Sequence, residues 1–66
     1  MSEKARQRQI MACILRGIAR THGILIDSDR PSVQRKLDYV MKGESWSDRL
    51  DRVNQAFKEL IQKEIT

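Results

Sequence analysis

The chain is 66 residues long, with 13 Lys and Arg against nine Asp and Glu, a formal net charge of +4 and a single Cys. One thiol excludes an intramolecular disulfide and a Cys-based zinc site, and no apolar run approaches the ~20 residues that span a bilayer. A chain this short buries only ~60% of the surface its unfolded form exposes. It is read as one small helical domain, residues 1–66, that needs very good helix packing or a partner subunit.

The first predicted helix runs from about Glu3 to His22. Ile10, Met11, Ile14, Leu15 and Ile18 recur at spacings of three and four and form one apolar face. Gly17 is the only poor helix former inside, at up to ~1 kcal/mol relative to Ala, which points to a close helix crossing there. Gly23 fits the left-handed residue that ends a helix, and Ile24 stands where a Schellman motif places its apolar contact. Arg20 and His22 suit the negative end of the helix dipole. The leading "MSEKARQRQ" is charged, and "IMACIL" is only six residues before Arg16 interrupts it. No signal peptide is read, and a cytoplasmic protein is expected, which the lone thiol fits.

Ile24 to Ile26 is too short and isolated for a sheet and is expected to lay an apolar link across the core. Asp27, Ser28 and Asp29 are favoured N-cap types, and Pro31 suits the first turn of the helix that follows. That second, short helix covers about Arg30 to Lys42, with Val33, Leu37, Val40 and Met41 on one face. Gly43 is expected to close it as Gly23 closes the first. In "ESWSD", Ser45 and Asp48 resemble a capping box, with Ser47 as a competing cap. Trp46, Leu50, Val53, Phe57, Leu60 and Ile61 then make an a/d-type seam for bundle packing.

The expected fold is all-α: a compact three-helix protein with two longer helices and a short middle one. The long helices are expected to pack antiparallel, with the short one across them. The apolar stripes are generous for this length. Homodimerisation into a helical bundle is therefore expected, with a well-packed monomer as the alternative and Trp46, Phe57 and Ile61 as candidate interface residues.

Charge is unevenly placed. Through Ile26 the chain carries Lys4, Arg6, Arg8, Arg16 and Arg20 against Glu3 alone, whereas from Asp27 onward eight basic residues balance eight acidic ones. Arg6, Gln9, Cys13, Arg16 and Arg20 follow at steps of three and four and form one polar stripe opposite the apolar face. Arginine presents a planar fork suited to phosphate or carboxylate. Arg6, Gln9, Arg16 and Arg20 are therefore the candidate docking residues for an anionic surface or a nucleic acid.

Enzyme chemistry is not expected. His22 has no nucleophile motif near it, Asp27 and Asp29 fall short of a calcium loop, and no glycine-rich phosphate loop exists. No metal and no cofactor are expected. A helix-turn-helix across Gly43 fits poorly, because Asp48, Asp51 and Glu59 dilute the basic residues of the third helix. The functional expectation is a small non-catalytic regulatory protein that binds and modulates a larger protein partner through its helix surfaces. The alternative is a DNA- or RNA-binding module that uses the basic stripe of helix one.

In size and order of elements the chain is similar to short antitoxins that restrain Fic-type adenylyl transferases, with His22-Gly23 and Gly43-Glu44 at corresponding turns. The inhibitory motif of that family needs a Glu where His22 stands and a Ser or Thr where Ile18 stands. The resemblance therefore covers layout alone and implies no shared mechanism. It does illustrate how a chain built this way can act on a larger protein.

Overall fold

The helical periodicities close into three helices in the computed structural model, which describes the backbone of residues 2–65 and the side chains of residues 2–62. They are α1 (Glu3–Thr21), α2 (Pro31–Met41) and α3 (Trp46–Ile65), with no strand among the described residues. None of these helices is long and apolar enough to cross a membrane.

Each boundary has a local cause. Ser2 caps α1, its Oγ accepting from the Ala5 N–H at 3.2 Å. At the other end Gly23 takes φ +74°. The Ile24 N–H then donates to the Ala19 carbonyl at 2.9 Å and the Gly23 N–H to the Arg20 carbonyl at 3.0 Å. That pair of bonds is the Schellman motif. Ile24 and Ile26 pack against the core while Leu25 between them points outward, 92% exposed. The apolar link is thus two inward residues flanking an outward one.

The start of α2 departs from expectation. Its N-cap is Arg30, in extended geometry and with no side-chain cap, rather than Asp27, Ser28 or Asp29. Pro31 is the reason. It occupies the first turn, and a residue before proline is held extended, so the cap falls on Arg30. Asp27 instead makes an Asx turn, its Oδ1 accepting from the Asp29 N–H at 3.0 Å, and the Arg30 N–H donates to the Asp27 carbonyl at 3.2 Å.

Two glycines also differ from expectation. Gly43 does not take positive φ, since Gly23 alone does so among the described residues. Gly43 is buried, and a Cβ there would lie 2.9 Å from Arg49 Cγ and 3.2 Å from the Arg49 backbone nitrogen. Its role is close approach of the turn to α3, not helix termination. Gly17 faces open space: a Cβ on it would meet nothing within 4 Å, so no helix crosses there. Ser45, rather than Ser47, caps α3: its Oγ accepts from the Asp48 N–H at 3.0 Å. The Asp48 carboxylate returns to the Glu44 N–H at 3.3 Å, one residue outside the usual capping-box position.

The core is a single apolar cluster. Met11, Leu15 and Ala19 from α1 meet Val33, Leu37, Val40 and Met41 from α2 and Val53, Ala56, Phe57 and Leu60 from α3. No described residue buries a polar or charged side chain. Contacts along the helices set their sense. Gln7 near the start of α1 accepts from Arg49 near the start of α3, and the His22 ring past the end of α1 meets Phe57, 5.1 Å between centroids. The long helices therefore run in the same direction, not antiparallel. Between α2 and α3 the order is reversed: Lys36 pairs with Glu59, while Tyr39 reaches Gln55 at 2.6 Å. The short connections at residues 22–30 and 42–45 each turn the chain back, so the third helix must repeat the direction of the first.

Candidate anion-docking face of α1

At 100° per residue, burying Met11, Leu15 and Ala19 turns the opposite side of α1 to solvent. Arg6, Gln9, Cys13, Arg16 and Arg20 are all exposed there, so the stripe read from spacing exists as one surface. Its arginines span about 21 Å at ~1.5 Å per residue.

The stripe's arginines are aligned on one face and, among the described residues, lack acidic partners. Among the described residues Arg6, Arg16 and Arg20 form no ion pair, and the one side-chain contact of the three is Arg16 Nη2 to Cys13 Sγ at 3.2 Å. The one acid on this helix, Glu3, lies in its first turn and accepts from Gln7 at 3.3 Å. Basic residues at the helix interfaces are spoken for. Arg8 pairs with Asp38 at 2.5 Å and also donates to the Gln34 carbonyl and Oε1 at 3.0 and 2.6 Å, which pins α1 to α2. Arg49 donates to the Gly43 carbonyl at 2.9 Å and to Gln7. Arg52 lies 4.6 Å over the Tyr39 ring, 3.5 Å from Asp48 and 2.9 Å from the Tyr39 carbonyl. Lys4, Arg35, Lys42 and Lys58 are also exposed, but the last three are scattered over elements that carry acids of their own.

On its α2 side the stripe borders a depression of about 440 Å³, lined by Gln9, Cys13 and Arg16 and, opposite them, by Ser28, Asp29 and Gln34. A second hollow of about 440 Å³ lies under the link, between Leu25, Ile26, Val33, Leu60 and Ile61.

The three candidate interface residues separate. Trp46 is 47% exposed at the start of α3, Ile61 is half-buried at the second hollow, and Phe57 is 5% exposed within the core. Phe57 is thus committed inside the protomer, where His22 covers its ring. His22 itself lies with Nδ1 3.0 Å from the Ile18 carbonyl, a contact that the Nδ1–H tautomer makes as a donor. Among the described residues no three His, Cys, Asp or Glu side chains gather as a metal site would require.

Arg8 was not legible as a cross-helix anchor, although one signal was available. It falls on the inward side of α1 with Met11 and Leu15, and a charge held there needs a partner on the facing helix.

No protein-family model, no curated protein and no solved structure matches this chain.

Proposed function

We propose that this chain is a small non-catalytic regulatory protein of the cytoplasm that acts by binding a larger partner through its helix surfaces. The outer face of α1 is the part that docks, on negatively charged ground. The observation that carries the reading is the division of charge: arginines at helix interfaces are paired, and those along the outside of α1 are not. Free guanidinium groups in a row are complementary to an anionic surface.

An acidic patch on a larger protein is one such surface, and exposed Trp46 is a side chain of the kind that anchors protein contacts. Self-association through Trp46 and Ile61 belongs to the same proposal; a single monomeric species at all concentrations in sedimentation equilibrium would remove it. Nucleic acid is the second reading. It is favoured by the stripe's lack of any acid.

Retention on an immobilised polyanion tests the docking face. Wild type is expected to elute at clearly higher salt than Arg6/Arg16/Arg20→Gln. It should elute close to a charge-matched control, Arg35/Lys42/Lys58→Gln. Equal loss in both variants would reduce the effect to net charge and end the proposal.

A further inference from the structure

Resting on the reading of α1 as an anion-docking face, we infer that its ligand is duplex DNA, held through the phosphates by Arg6, Arg16 and Arg20. Three observations separate this ligand from the other polyanions.

The first is register. Arg6 stands about 15 Å from Arg16, and Arg16 about 6 Å from Arg20, along the helix axis. An acidic protein must offer carboxylates at that uneven spacing, whereas a duplex repeats its phosphates regularly along two backbones and offers many equivalent placements. The spacing also suits a helix lying in or across a major groove ~12 Å wide, into which a helix ~10–12 Å across fits. Arg6 then reaches one phosphate backbone and Arg16 with Arg20 the other.

The second is what lies between the arginines. Gln9 and Cys13 are exposed, small to medium in size and uncharged, so nothing in the middle of the stripe repels a phosphate or blocks approach. Glutamine is also a side chain that pairs with adenine in the major groove. The deep, narrow major groove of an RNA duplex does not admit a helix face.

The third is the missing stacking platform. Single-stranded nucleic acid is held by aromatic faces, and α1 has none. Phe57 is buried, the Tyr39 ring is covered by Arg52, and exposed Trp46 stands alone at the start of α3 rather than on the α1 stripe. Two acids border the stripe, Glu3 at its start and Asp29 across the α2 depression. Both flank the face and neither interrupts it.

Fluorescence anisotropy with a labelled mixed-sequence DNA duplex, the matching single strand and poly-glutamate, each at several salt concentrations, tests the inference. The duplex is expected to bind most tightly. Three phosphate contacts give a slope of log K on log salt of about −2.7, so affinity should fall about 40-fold between about 50 and about 200 mM salt. Arg6/Arg16/Arg20→Gln should lose binding and flatten the slope, Arg35/Lys42/Lys58→Gln should keep most of both, and Gln9→Ala should leave the slope unchanged. Unaltered far-UV circular dichroism establishes that the variants remain folded. Tighter binding of poly-glutamate or of the single strand overturns duplex DNA as the ligand while the docking face stands. Binding to none of the three at low salt overturns both.

Discussion

Replacing Gly23 by Ala isolates one physical effect. No heavy atom lies within 4 Å of the position a Cβ would take, so the substitution adds no clash, and only the backbone at φ +74° is strained. A left-handed conformation costs an L residue with a Cβ roughly 1–2 kcal/mol. Against this, Ala narrows the unfolded ensemble and returns about 0.4–1 kcal/mol. A net loss of about 1 kcal/mol follows, equivalent to about 4–8 °C in Tm for a domain this small. Gly17→Ala is the matched control. It is the same chemical change, equally free of neighbours, but in ordinary helical geometry, where Ala stabilises by about 0.5–1 kcal/mol. Thermal and urea unfolding followed by far-UV circular dichroism should therefore move the two variants in opposite directions from wild type. Gly23→Val should fall below Gly23→Ala, because a β-branched residue tolerates positive φ least. A Gly23→Ala variant as stable as wild type, or a destabilised Gly17→Ala, would refute the reasoning.

Other substitutions follow from the same contacts. Ser45→Ala removes the acceptor for the Asp48 N–H and should cost about 1 kcal/mol in urea unfolding. Leu37→Ala empties a 1% exposed site facing both long helices. It should cost about 2–5 kcal/mol, a large share of the total available to a chain this short, and be visible as a partly unfolded far-UV spectrum at room temperature. Gly43→Ala places a Cβ 2.9 Å from Arg49 Cγ and 3.2 Å from its backbone nitrogen, and overpacking of this kind should cost about 1–3 kcal/mol in the same assay. Asp27→Asn keeps an oxygen for the Asp29 N–H and should shift the melting midpoint hardly at all.

What was legible in the sequence was what neighbouring residues decide among themselves. The three helices, the Gly23 stop, the Ser45–Asp48 cap and the solvent side of α1 each follow from spacing or from residue type within a few positions. Features set by distant segments were not legible. The direction of α3 depends on two reversals of the chain. The packing of Gly43 depends on Arg49 folding back over it. Asp29 illustrates the middle ground: its residue type favours capping, but Pro31 fixes the helix start where Asp29 cannot serve. The polar stripe of α1 was readable because periodicity suffices to define it, whereas the isolation of its charges needed the partners of Arg8, Arg49 and Arg52 to be seen.

The shared direction of α1 and α3 has an electrical consequence. In a pair of opposed helices the macrodipoles cancel, but here α2 opposes two, and one helix's worth remains uncompensated along the molecule. First-turn acids Glu3 and Asp48 stand where two positive helix ends gather, and Arg20 stands in the last turn at the negative end. The side chains thus counter the backbone at both ends. The fold's uncancelled backbone polarity is offset by side chains at its ends rather than by an opposing helix.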